Sequence, residues 1–149
     1  MSRLLSHLAA FAVIVPLLAG CAVLSPFSFL GPKECMARVM YFESNRSSAE
    51  GMLAVGTVVM NRLQSGKNPR SVCGVVGQSG QFAPGVLWLP MREGRSLNLA
   101  RSVADRVLRG ERHPGVQRAM FFHTAGLHFP YTNMHYVLEA GGLAFYEKW

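Results

Sequence analysis

The sequence predicts an α+β domain, mostly helical, with a small antiparallel β-sheet near its C-terminal end. Three observations predict it. Between residues 33 and 108 apolar side chains recur at helical spacing, in three long segments and one short one. A stretch over 77–94, carrying several glycines and two prolines, interrupts that pattern with a long loop, and loops of this length in a compact domain are commonly functional. The last forty or so residues then change to short aromatic and branched runs separated by turn residues, the pattern of strands.

The first helix is expected over about 33–44, with Cys35, Met36, Val39, Met40 and Phe42 repeating on its apolar side. Pro32 suits its first position, where no amide hydrogen is required. The polar run Ser44–Ser48 breaks the pattern. Ser47 with Glu50 three residues on reads as a capping box. It opens a second helix carrying Met52, Val55, Val58, Val59 and Leu63 and stopping at Gly66. Pro69 begins a short helical turn that runs through Cys73. After the loop, Ser96 is placed to cap a third long helix, with Leu97, Ala100, Val103, Val107 and Leu108 on one face and Gly110 just past its end. Ala119–His123 reads as a strand. Tyr136–Leu138 and Leu143–Tyr146, separated by Glu139–Gly142, read as a hairpin. Helices first and a sheet last is the order of an α+β domain. No internal repeat or low-complexity tract interrupts it.

The N-terminus reads as an export signal. Arg3 is the one fixed charge in the first twenty residues, and Leu8–Gly20 is apolar or small throughout, too short for a spanning helix. The run ends in Leu18-Ala19-Gly20-Cys21, which resembles a bacterial lipobox, whose cysteine thiol takes a diacylglycerol and becomes the new N-terminus. The alternatives are an uncleaved anchor helix or a plain signal peptide. The expected organisation is a lipoprotein signal over 1–20, lipidation at Cys21, a tether over 21–32 and one catalytic-sized domain over 33–149. Lipid attachment makes an exported protein an anchored one. Alanine after Cys21 suits the outer membrane of a Gram-negative cell rather than the inner. With about ten residues of tether, the reach from the membrane is at most roughly 35 Å.

Of the 149 residues, 129 would remain after removal of that signal, enough for one core. The formal charge of +7 falls only to +6 with the loss of Arg3. Outside the cytoplasm a basic surface fits anionic lipid, nucleic acid or the acidic glycan-peptide of a cell wall. The basic residues are scattered rather than interleaved with aromatics, and no nucleic-acid module is recognisable, so no nucleic-acid partner is expected. If Cys21 carries lipid, Cys35 and Cys73 are left. In an oxidising compartment such a pair is readily a disulfide, the alternative being two buried free thiols. The protein is expected to be a monomer with no cofactor.

Extracytoplasmic hydrolysis needs a carboxylate, a metal or an activated nucleophile. The histidines lack paired-ligand spacing, and there is no Gly-x-Ser-x-Gly elbow. Of the eight acids, most have ordinary explanations: Glu34 in a first helical turn, Glu50 in a capping box, Asp105 on a charged helix face. Glu43 differs. It follows Met40-Tyr41-Phe42 at the C-terminal end of an apolar helix, where the helix dipole disfavours a negative charge. Packed against aromatic side chains it would have a raised pKa, as a general acid requires. Turned to water it would be an ordinary helix-end glutamate, and the residues alone leave both readings open. Tyr131, Tyr136 and the Phe121–Phe122 pair offer faces for sugar stacking, though such residues are more often core.

The segments Ala37–Glu43, Glu50-Gly51, Ala54-Val55 and Val58–Arg62 resemble the SleB-type cell wall hydrolases, the spore-cortex lytic enzymes and their relatives. Pro69 with Val72–Val76, then Gln78, Gln81-Phe82, Phe122-His123 and Phe145-Tyr146 follow in the family's order, so the resemblance spans about residues 34–146. It implies a lysozyme-like fold, and the lipobox-like N-terminus would make the chain a lipoprotein member of the family. The implied substrate is peptidoglycan, cut at the β-1,4 bond between N-acetylmuramic acid and N-acetylglucosamine, with Glu43 as catalytic acid/base. It also accounts for the single strong acid. Glycosidases ordinarily use two carboxylates, whereas a lytic transglycosylase manages with one, the sugar's own C6 hydroxyl attacking C1 to give a 1,6-anhydro end. Gln81, Phe82 and His123 lie in matched segments and are the candidate substrate contacts: Gln81 toward an N-acetyl group, Phe82 as a stacking face or merely a loop anchor. Two positions depart from the family. Ser47 stands where members commonly have a second acid, and Leu143 or Ala144 where they often have a histidine.

Overall fold

The structure is a computed structural model, and it describes residues 30–44, 46 and 48–149. The export signal, Cys21 and the tether up to residue 29 lie outside the described residues, as do Asn45 and Ser47. Four α-helices come first: α1 (Pro32–Glu43), α2 (Ala49–Gln64), α3 (Val72–Val76) and α4 (Gly94–Leu108). A 3₁₀ turn (Pro114–Val116) leads to three strands, β1 (Phe121–Thr124), β2 (Met134–Ala140) and β3 (Leu143–Lys148). The expected class is therefore the observed one.

Helix α1 is the centre of the domain. Cys35, Met36, Ala37, Val39, Met40 and Tyr41 are all buried, because α2, α3 and α4 pack around it. It begins one residue before the expected boundary, with Pro32 in its first turn and no side chain capping it. Helix α4 has a single buried stripe, Ser96, Ala100, Val103, Ala104 and Val107, and an outer face of charge. Two exposed ion pairs, Lys33–Asp105 (2.6 Å) and Arg101–Glu34 (3.2 Å), link it to the first turn of α1. Pairs so exposed contribute little to stability. A disulfide joins Cys35 of α1 to Cys73 of α3, with 5.2 Å between their Cα atoms.

Three expected helix starts are corrected. The cap of α2 is Ser48, not Ser47: its Oγ accepts a hydrogen bond from Gly51 N (3.0 Å). Glu50 thus falls one position short of the capping-box partner and faces His113 instead, at 3.4 Å. The short helix begins at Val72, not Pro69, capped by Ser71, whose Oγ accepts from Gly74 N. Helix α4 begins at Gly94 after Glu93, and Ser96 lies inside its first turn, its Oγ donating to Glu93 Oε2 (3.3 Å).

The sheet has the order β1-β3-β2, both pairings antiparallel. Strands β2 and β3 form the expected hairpin, longer than its sequence signal, around Gly141 and Gly142, which have φ of +59° and +79°. Two consecutive left-handed residues match a two-residue turn whose twist follows that of the strands. A bulge between Tyr136 and Leu138 leaves Val137 unmatched. Phe122, Phe145 and Leu138 then occupy one face, over the helices, while Phe121, His123, Tyr136 and Tyr146 share the other, their rings in contact. The hairpin turn is seated on α2 so closely that a Cβ at Gly51 would lie 2.7 Å from Gly141 Cα. That backbone-to-backbone contact requires glycine at both positions.

Candidate active site

The 77–93 loop sends Val86 and Leu87 into the hydrophobic core and is tied further by polar groups of α1. Arg38 donates from Nη1 to Leu89 O (2.9 Å), and the Tyr41 hydroxyl accepts from Glu93 N (3.1 Å). Glu43 Oε1 accepts from Ala83 N (2.5 Å). A fourth tie comes from Arg46, whose guanidinium lies over the Tyr41 ring (4.8 Å) and pairs with Glu93 (2.6 Å). Arg38, Tyr41 and Glu43 of α1, with Arg46 just beyond it, thus fix the middle and end of a glycine-rich loop whose own turns add backbone hydrogen bonds. Arg46 itself adopts φ +63°, unusual for a side chain other than glycine.

Glu43, the last residue of α1, is half-buried beside that loop. Burial raises its pKa above the ordinary 4.5, opposed by the smaller effect of the Ala83 amide, which favours the charged form. The helix end adds no amide donors to stabilise a carboxylate. Next to it, Ser44 closes α1 by donating from Oγ to Met40 O (2.7 Å), so the chain turns away immediately after the acid.

Glu43 opens onto a cleft of about 450 Å³ between the loop and β1. Gln81, Phe82 and His123, the three candidate substrate contacts, all line it. Glu43 is the one carboxylate among the described lining residues. Six of the other seven acids are paired elsewhere: Glu93 on Arg46, Glu111 on Arg106, Glu147 on Arg118, Glu34 on Arg101, Asp105 on Lys33 and Glu50 beside His113. Leu143 also lines the cleft, so of the two positions where the family often has histidine it is the one facing the site, as an apolar side chain.

The candidate contacts differ in freedom. Gln81 is exposed and in reach of a ligand. Phe82 is partly buried, its ring 6.2 Å from Phe122 and 5.3 Å from the Arg62 guanidinium, so much of its surface is committed to anchoring the loop. His123 is engaged at both nitrogens. Its Nδ1 lies 2.8 Å from Thr124 O, which can only accept, so Nδ1 carries a hydrogen. Its Nε2 lies 2.8 Å from the Tyr136 hydroxyl. The ring edge is what His123 offers the cleft. Among the described residues no cluster of three or more His, Cys, Asp or Glu is arranged to hold a metal.

Two residues of the site have roles that the sequence pattern did not assign. Asn61 Nδ2 donates to Gln117 O (3.0 Å) and Ala119 O (2.9 Å), and Arg62 Nε donates to Met120 O (2.7 Å). Together they pin the segment entering β1, including Gln117 at φ +50°, and so set the position of the cleft's far wall. Arg62 is almost fully buried (5 % exposed). Its signal was present: it continues the Val55, Val58, Val59 stripe at helical spacing, so burial was implied by position.

The family model described as Cell Wall Hydrolase matches residues 46–146, beginning just past Glu43. Among solved structures, the catalytic domain of the Bacillus cereus SleB protein superposes with a TM-score of 0.63 at 21 % identity, over 78 % of this chain and 89 % of that one. The catalytic domain of the germination-specific lytic transglycosylase SleB from Bacillus anthracis gives 0.62 at 22 %, over 83 % of this chain and 100 % of that one. At such identities the likeness is one of fold. No curated protein matches the chain by sequence.

Proposed function

The chain belongs to the cell wall hydrolase family, and from that premise we propose that it cleaves peptidoglycan glycan strands at the β-1,4 bond between N-acetylmuramic acid and N-acetylglucosamine, as a lytic transglycosylase with Glu43 as acid and base. The observation that carries the reading is one half-buried carboxyl of raised pKa on an open cleft with no second carboxylate among its described lining residues. A retaining glycosidase needs a second carboxylate about 5–5.5 Å away, and an inverting one about 6.5–9.5 Å away. The transglycosylase route needs neither. Protonated Glu43 gives its proton to the bridging oxygen as the C1–O bond breaks. The resulting carboxylate takes the proton of the C6 hydroxyl as that oxygen bonds to C1. The anhydro ring forms, no water is consumed, and Glu43 ends protonated. The fold shared with the Bacillus anthracis lytic transglycosylase supports this choice over a hydrolytic muramidase.

Mass spectrometry of the fragments released from purified sacculi tests the reading. Anhydro-muropeptides, each lighter by one water than the hydrolytic product, are expected. Reducing muropeptides would make the enzyme a muramidase, free stem peptides an amidase, and binding without release a non-catalytic glycan-binding lipoprotein. Such a substrate lies outside the cytoplasm, which gives the N-terminal segment its purpose. We infer lipid anchoring at Cys21 on the periplasmic side of a membrane, most simply the outer one. Among the described residues no helix is long and apolar enough to cross a membrane. Mass spectrometry of the mature protein checks the anchor: its N-terminus should be Cys21 bearing a diacylglycerol, and a mature N-terminus without lipid would refute lipidation.

A further inference from the structure

Beside the cleft lies a second, smaller pocket of about 200 Å³, lined by Arg62, Lys67, Asn68, Gln81, Met120 and Phe121. Gln81 borders both cavities, so a ligand in one is adjacent to the other. Arg62 is more than nine-tenths buried, yet among the described residues no carboxylate pairs with it. Its Nε is spent on Met120 O, and its guanidinium plane lies near two rings, Phe82 (5.3 Å) and Phe121 (5.4 Å). The remaining four of its five N–H donors have no acceptor among the described residues and open onto the pocket rather than being sealed from it. A buried cation is ordinarily paired. Lys67, on the same pocket, also enters no ion pair among the described residues. The guanidinium is planar, which suits two parallel hydrogen bonds to a planar anion. Asn68 does not fill the place, since its Nδ2 donates to Arg62 O (3.2 Å) and Ser65 Oγ (3.0 Å).

We propose that this pocket is a carboxylate subsite, which takes an acidic group borne by the glycan while the neutral sugars occupy the Glu43 cleft. The proposal rests on reading that cleft as a glycan site. Its volume equals about six or seven water molecules at liquid density, room for a carboxylate and the few carbons carrying it. In peptidoglycan that carboxylate comes from the stem peptide, or from the lactyl group of a muramic acid that has lost its peptide.

Binding is read by co-sedimentation of the Glu43→Gln protein, so that the polymer is not consumed, with three preparations: intact sacculi, glycan strands stripped of peptide by an amidase, and sacculi whose carboxyls are converted to neutral amides with a carbodiimide. Amidation should weaken binding about tenfold, the size of one charge-assisted contact. Lys67→Glu should weaken binding to intact sacculi about tenfold and leave binding to amidated sacculi unchanged. Arg95→Glu, the same charge change at an exposed position of α4, should cost less than about twofold. Arg62→Lys, which keeps the charge but loses the planar fork, should follow Lys67→Glu, with circular dichroism showing that it folds. Retained salt-sensitive binding to stripped strands assigns the lactyl carboxylate, and its loss assigns the stem peptide. If amidation leaves binding unchanged, or Lys67→Glu and Arg95→Glu lose equally, the subsite is refuted. Failure of the wild-type protein to release fragments would overturn the proposed cleavage but leave this binding result standing.

Discussion

Glu43→Gln protein should lose about 10²–10⁴-fold in the rate of fragment release from purified sacculi, as expected when a general acid is removed. Binding and fold should survive. Glutamine has nearly the shape of glutamate, and its amide oxygen can still accept from Ala83 N, so the loop tie at 2.5 Å persists. Residual cleavage near the wild-type rate would dismiss Glu43 as the acid. The raised pKa adds a second, signed test. Glu43 donates only when protonated, so cleavage should decline as pH rises through its folded value, which lies above 4.5. A group whose folded pKa is raised binds its proton more tightly in the folded state. Its contribution to stability is therefore best below pH 4.5 and is lost as pH climbs through the raised value. Glutamine is never charged and escapes that loss. At neutral pH the Glu43→Gln variant should melt at or above the wild-type temperature, and the difference should close as pH is lowered below 4.5. A variant that melts lower at neutral pH would mean that the carboxylate is stabilising, contrary to the burial argument.

Removing the Cys35–Cys73 disulfide should be the most damaging change to stability. The two residues are separated by 38 positions. On the chain-entropy account, closing a loop of that length stabilises the fold by about 4 kcal/mol. For a domain of this size that corresponds to roughly 15 °C in melting temperature. The bond does more than shorten the unfolded chain. Cys35 is fully buried in α1, and the bridge ties α3, a helix of only five residues, to the helix that carries Glu43. Five residues are far too few to be helical unaided. The Cys35→Ala/Cys73→Ala double variant, melted beside the wild type with and without reductant, checks this. The wild type should fall to the variant's temperature when reduced, and the variant should not respond. A shift below about 3 °C would place the stability of this corner in packing alone.

Much of this was legible in the chain. The helical periods of α1, α2 and α4 depend on local spacing, and an apolar stripe must be buried wherever the helix ends up. The C-terminal hairpin was legible because two adjacent glycines between β-type runs specify a turn almost without context. Glu43 could be singled out because an acid at the end of an apolar, aromatic helix conflicts with its surroundings, and such conflicts mark functional positions. The starts of α2, α3 and α4 were misplaced by one to three residues. Ser47 and Ser48 are chemically equal candidates for a cap, and the seating of Gly51 on Gly141 accompanies the choice of Ser48. Gln81, Phe82 and His123 could be nominated separately, but not the fact that one cleft unites them.

The sequence by itself determined the class of the fold and the family, and nominated Glu43 and the cysteine pair, because each depends on residue type at short spacing. The tertiary structure alone decided what surrounds the acid. Only packing of the loop and β1 around the end of α1 brings residues some forty positions apart into contact, desolvates Glu43 and leaves Arg62 without a carboxylate partner among the described residues. Desolvation and pairing are properties of three-dimensional neighbourhoods, and no spacing along the chain encodes them.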